Sequence, residues 1–144
     1  MTESSKSKIY SAAQIEATEK DLAASGSAAA QSVAKHLAAA RQAFLKAVDY
    51  IAANAKPNPN PNGAYAASVP YLMLTGNLVA GWQLARALLI AEKQLAAGQD
   101  SAFMQAKIGT ARFYAEHILP RTLAQSDSIT GGADSVMALP VEAF

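Results

Sequence analysis

The chain predicts an all-α fold: an up-down antiparallel helical bundle of three long helices plus a shorter N-terminal helix. Three observations carry this. Apolar residues recur at helical spacing over stretches too long for strands, the connections between those stretches are short, and alanine supplies much of the apolar content. Hydrophobic residues make up 51% of the 144-residue chain while aromatics make up only 7%, so small side chains set the packing. Alanine is the strongest helix former and lets helix axes approach closely. At this length folding hides roughly two-thirds of the surface that an unfolded chain would expose, enough for one core.

Residues 1–8 are polar and rich in Ser and Lys and are expected to be disordered, which leaves 9–144 as a single helical-bundle domain. From Ile9 to Ala24 the helical pattern is weak, with Ile15 and Leu22 seven apart and Glu16 four before Lys20 for a supporting ion pair. Ser25-Gly26-Ser27 breaks it, and Ser27 can cap the next helix. That helix runs to about Ala55 and aligns Val33, Leu37, Phe44, Val48 and Ile51 along one stripe, with Lys35, Arg41, Lys46 and Asp49 largely off it. A Pro/Asn-rich linker, 56–63, follows and is expected to be non-helical, because its three prolines fix the backbone and remove donors.

The third long helix begins near Ser68 with Pro70 in its first turn, where a missing N–H costs nothing. One face carries Tyr71, Leu74, Leu78, Trp82, Ala85 and Leu89, and another carries Leu72, Val79, Arg86 and Ile90. Both sides are largely apolar, so this reads as the central helix. Gly98 ends it, and Asp100 or Ser101 caps the next. The last long helix covers about Ala102 to Ser128, with Phe103, Ala106, Thr110, Phe113 and His117 on one stripe and Ile108, Ala111, Ala115 and Leu119 beside it. Pro120 should kink it near Glu116 unless it stops there. Gly131-Gly132 closes the element, and the apolar C-terminal tail with Val136, Met137, Leu139 and Phe144 is expected to pack across the bundle.

Twelve basic and eleven acidic residues give a net charge of +1 with no run of like sign, so nothing attracts nucleic acid or an anionic membrane. The absence of cysteine removes disulfides, thiolate nucleophiles and thiolate metal sites together. MTESSKSKIY has no apolar core after its lysines, so it is not a secretory signal, and a cytoplasmic address follows by default. Residues 71–91 form the most apolar run, but Asn77, Gln83 and Arg86 interrupt it, and it reads as a buried bundle helix and not a membrane span.

Catalysis requires convergent titratable groups, and few candidates exist. His36 sits among alanines on the polar side of its helix and reads as solvated or partly packed. Glu116 and His117 are neighbours, hence about 100° apart around the helix axis, and form no dyad. Arg112 and Glu116, four apart, read as a surface ion pair. No Glu-x-x-His pair is present for a metal, and Ser68, Ser101 and Ser126 lack a nucleophile elbow. No catalytic, cofactor-binding or metal residue is therefore expected. Tyr71, Trp82, Phe113 and Tyr114 are large aromatics on two adjacent helices; most belong to a core, but Phe113 and Tyr114 cannot both face inward, which leaves Tyr114 to face a partner. With the arginines and histidine beside them, the candidate interface or groove comprises Tyr71, Trp82, Arg86, Arg112, Phe113, Tyr114, His117 and Arg121.

Several motifs lie in the stretch from Val69 onward, which covers a little over half of the chain: Pro70 to Leu72 before Gly76, Gly81-Trp82, and Lys107 leading into ARFYAEHILPR (111–121). The closing GADSVMAL (132–139) completes them. This segment resembles the C-terminal helical domain appended to one branch of the flavin-dependent acyl-CoA dehydrogenases, enzymes of fatty acyl-CoA oxidation. The first half matches only as an Ala-rich helix of the right length. The resemblance implies a helical fold without chemistry of its own. Flavin (FAD), substrate and catalytic carboxylate belong to the dehydrogenase core that precedes such a domain, and what carries over to Arg112–Glu116 and Gly132–Leu139 is packing.

Three readings compete at this point. The chain is a domain that packs on a dehydrogenase body, stabilises its oligomer or walls its substrate channel; or it is an autonomous self-associating module without a flavoenzyme partner; or it is a small bundle that holds an acyl ligand between Ala-rich helices.

Overall fold

The computed structural model describes the backbone of residues 3–55, 61–136, 138–139 and 141–143, and the side chains of these except 3–11 and 141. It is all-α. The elements are α1 (Glu3–Ser25), α2 (Ala28–Asn54), α3 (Asn62–Ala66), α4 (Ser68–Ala96), α5 (Ser101–His117), α6 (Arg121–Gly131) and α7 (Ala133–Val136), followed by a 3-10 turn at Val141–Ala143. The helices α2 and α4 form the central pair, since α1, α5 and α6 each pack against both.

Several boundaries follow from local chemistry. Ser27 caps α2 by accepting from the Ala30 N–H, and Asp100 caps α5 by accepting from the Phe103 N–H. Gly26 and Gly98 adopt φ of 73° and 76°, a left-handed conformation that stops α1 and α4 and that a side chain would strain. The predicted last helix is two helices. Pro120 has no N–H and its ring crowds the carbonyl four residues back, so the ladder ends at His117 and the Ile118 and Leu119 N–H groups both turn to the Tyr114 carbonyl. A new helix then starts at Arg121.

Three other expectations are corrected. The N-terminal helix is not the short one: α1 spans 23 residues against 17 for α5, and it starts at Glu3, inside the stretch 1–8 read as disordered, with Met1 and Thr2 outside the described residues. Nothing between Glu3 and Ile9 breaks a helix, so polarity alone does not end it. The linker 56–63 is not wholly non-helical, since Asn62 and Gly63 open α3 behind Pro61, while 56–60 lie outside the described residues. The described tail does not bury its apolar groups. The turn α7 sits against α3, yet Val136 and Leu139 are 55% and 59% exposed, and Met137 and Phe144 lie outside the described residues.

The core joins Leu22 of α1, Val33 and Leu37 of α2, Leu74, Leu78 and Leu88 of α4, Leu119 before α6 and Ile129 on it, all within 2% of complete burial. Between them lie Ala30, Ala40, Ala47, Ala85, Ala111 and Ala115, equally buried, so alanine spaces the helices as its abundance predicted. Each fully buried large side chain contributes roughly 1.5–3 kcal/mol. The tightest approach is at Gly81, where a Cβ would stand 2.6 Å from Leu119 Cδ2 and 3.1 Å from its Cγ and Cδ1. Gly81→Val is expected to destabilise the domain by about 1–3 kcal/mol, because Leu119 is itself buried and has no room to retreat. Urea titration followed by circular dichroism checks this, and an unchanged midpoint would show that Leu119 repacks freely.

Candidate interaction surface

Several polar side chains of the bundle tie one helix to another. Arg41 of α2 meets Glu19 of α1 in a two-pronged pair, Nε to Oε1 at 2.8 Å and Nη2 to Oε2 at 2.9 Å, with Glu16 at 3.9 Å. The indole N–H of Trp82 donates to Thr18 Oγ1 at 2.8 Å, which fastens α4 to α1. Glu92 accepts from the hydroxyls of Ser25 and Ser27 and so holds the α1–α2 turn against the end of α4. Ser126 donates to the Ala43 carbonyl, and Lys46 pairs with Asp127 at 3.0 Å, both between α2 and α6.

Glu116 gathers the third set. It accepts from Arg112 Nε at 2.7 Å, along α5, and from the Ser32 hydroxyl at 2.8 Å, across to α2. The Arg112 N–H and then the Ser32 hydroxyl hold this carboxyl below its usual value of 4.5, against an opposing push from partial desolvation. A depressed folded-state pKa gives stability that is complete above the unfolded value and lost as pH falls through the folded one. The gap in stability between the parent and Glu116→Gln is therefore expected to narrow as pH drops below 4.5. Denaturant titrations across that range read it; a gap that stays constant to acid unfolding would show the carboxylate is not responsible.

The predicted interface residues do not form one site. Tyr71 is half-buried and stacks on Phe44, with ring centroids 6.0 Å apart. Trp82 also packs on the core through its ring, and Arg86 lies 5.5 Å over that ring while donating to Gln83. The assignment within the Phe113–Tyr114 pair is reversed from expectation. Tyr114 points inward, donating to the Asn77 carbonyl at 3.3 Å, whereas Phe113 is 60% exposed and rests 4.6 Å from His117. Desolvation raises the Tyr114 pKa, with the Arg121 charge opposing, which fits a phenol turned into the bundle. Arg112, His117 and Arg121 are exposed along α5 and the start of α6.

A different surface stands out. The second face of α4, read from sequence as buried, is open: Val69, Leu72, Met73, Val79 and Ile90 are all exposed. The sequence signal was the apolar set Leu72, Val79 and Ile90, but its period gives no sign of whether anything covers it.

An open cleft between α1 and α4 is lined by Asp21, Ser25, Leu89, Glu92 and Lys93, where Glu92 is already held by serines. Among the described residues no group of three or more His, Asp or Glu side chains is placed to hold a metal, and no helix is long and apolar enough to cross a membrane.

The fold is thus a helical bundle tied together by polar side chains and exposing apolar side chains along α4. The chain belongs to the acetyl-CoA dehydrogenase C-terminal-like family, whose model matches residues 11–140. It is 48% identical over 126 residues, 88% of this chain, to a 3-methylmercaptopropionyl-CoA dehydrogenase of Ruegeria pomeroyi, of which it covers 21%. It is 32% identical over 80 residues, 54% of this chain, to the broad-specificity linear acyl-CoA dehydrogenase FadE5 of Mycobacterium tuberculosis, of which it covers 13%. The chain therefore spans about a fifth or less of the length of these relatives.

Proposed function

We propose that this chain is the non-catalytic C-terminal helical domain of a cytoplasmic acyl-CoA dehydrogenase-type flavoenzyme. It packs on the dehydrogenase body and stabilises the oligomer or walls the substrate channel. The observation that carries the reading is the match over nearly the whole chain to a fifth of an acyl-CoA dehydrogenase. Support comes from the polar side chains: Arg41, Glu19, Glu92, Glu116 and Thr18 are committed to helix-to-helix ties. FAD and the carboxylate that takes the substrate proton belong to the body, and the acyl chain is recognised there.

The test is to tag this segment in place in its native cells and purify whatever carries it or binds it. A yellow species with a flavin spectrum and a dehydrogenase-sized polypeptide is expected. A colourless species made of this chain alone would overturn the reading in favour of a self-standing, self-associating bundle.

A further inference from the structure

Resting on that reading, we propose that the outward face of α4 is the surface that docks on the dehydrogenase body, with the body's chain coming close to the bare backbone at Gly76. The apolar part of the face runs roughly 15 Å along the helix from Val69 to Val79, and Ile90 lies beyond the exposed Gln83 and Arg86 of the same face. Its exposed large residues are Val69, Leu72, Met73, Val79 and Ile90, each between 43% and 69% accessible. An apolar strip of this length left in water is costly, and contiguous exposed patches of this kind mark interaction sites.

Gly76 supplies the second argument. It sits in the interior of α4, where glycine weakens a helix relative to alanine. At Gly81 of the same helix that cost has an internal reason, since Leu119 fills the space a side chain would take. At Gly76 there is none: an added Cβ would meet nothing within 4 Å, and the residue faces outward. Gly109 of α5 is equally open but is flanked by Gln105 and Arg112, whereas Gly76 is set among the exposed Leu72, Met73 and Val79, which fits close approach by something outside the domain.

The neighbouring helix α5 also exposes Phe103 and Phe113, at 52% and 60%, but each is set beside a polar side chain of its own helix. Lys107 lies 5.1 Å over Phe103, and His117 lies 4.6 Å from Phe113. On α4 the stretch from Val69 to Val79 holds no charged side chain, and Arg86 lies beyond it. As for the occupant, the segment is 21% and 13% of the relatives' length, so each copy there is accompanied by a far larger body on the same polypeptide. That body is the partner this face is assigned.

Met73, 53% exposed at the centre of the strip, makes the contact measurable by hydroxyl-radical footprinting. Its oxidation is compared between the 144-residue chain alone and the flavin-containing species recovered from native cells, with half-buried Met104 of α5 as internal reference. Met73 is expected to react several-fold more slowly in the complex. Gly76→Leu should restore the rate, and because leucine is the better helix former and the space is open, this variant of the isolated chain should melt at or above the parent temperature. Equal Met73 rates with the dehydrogenase present would overturn the α4 assignment while leaving the proposed function standing. Recovery without any dehydrogenase would overturn both, and Met73 protection there by a second copy of the chain would assign the face to self-association.

Discussion

Replacing Leu37 by alanine is expected to destabilise the domain by about 2–5 kcal/mol, lowering the melting temperature by on the order of 10 °C. Leu37 is completely buried near the middle of α2, the helix that meets α1, α4, α5 and α6 together. The loss has two parts: the transfer free energy of the deleted methyl groups and the cavity that remains. In this core the second part is large. The same core holds Ala40, Ala85, Ala111 and Ala115, whose single methyl groups have no rotamers with which to reach into a gap. Thermal unfolding of the variant reads the effect directly. A loss below about 1 kcal/mol would mean that the helices slide together, and the core would be softer than its close approaches imply.

The second large effect is expected at Arg41. Its side chain is 13% exposed and that of Glu19 is 11%, so Arg41→Ala leaves a nearly buried carboxylate facing a void. Removing one member of a fully buried pair costs about 3–5 kcal/mol, and the residual water contact here reduces the expectation to about 2–4. Hydrogen bonding to Glu19 raises the guanidinium pKa, desolvation opposes it, and the charges of Glu19 and Glu16 reinforce it. Arg41 accordingly stays charged wherever the protein is folded. The double replacement Glu19→Leu with Arg41→Met should recover most of the loss, because it removes both charges and keeps apolar volume. Chemical denaturation of the two single variants and the double completes the cycle. If the double variant is as unstable as Arg41→Ala, then the packing of the arginine stem, and not the pair, holds α1 to α2.

Much of the helical plan was legible because its signals are local. The serine at 27, the aspartate at 100 and the glycine at 98 act within one turn of where they stand, and the structure uses all three as read. The stripe of Val33, Leu37 and Phe44 was likewise legible, since its period alone puts these residues on one face. Composition misled at the N-terminus, where α1 starts at Glu3, because a polar stretch without breakers is compatible with helix as well as with disorder.

The candidate site was much less legible. Arg41 lies largely off the apolar stripe, yet its side chain is shielded in a pair with Glu19, a fact that depends on α1 lying alongside α2. Tyr114 and Phe113 differ by one position, and no pattern in their own helix decides which points inward; the Asn77 carbonyl of α4, across the interface, does. By itself, then, the sequence determined the all-helical class, most helix ends and which residues share a face. The tertiary structure alone decided which apolar face is covered, leaving Val69, Leu72, Val79 and Ile90 open. The physical reason is one of range. Caps and helical period are fixed by atoms a few residues apart, whereas burial depends on which distant surface arrives, and two apolar faces of one helix look alike until it does.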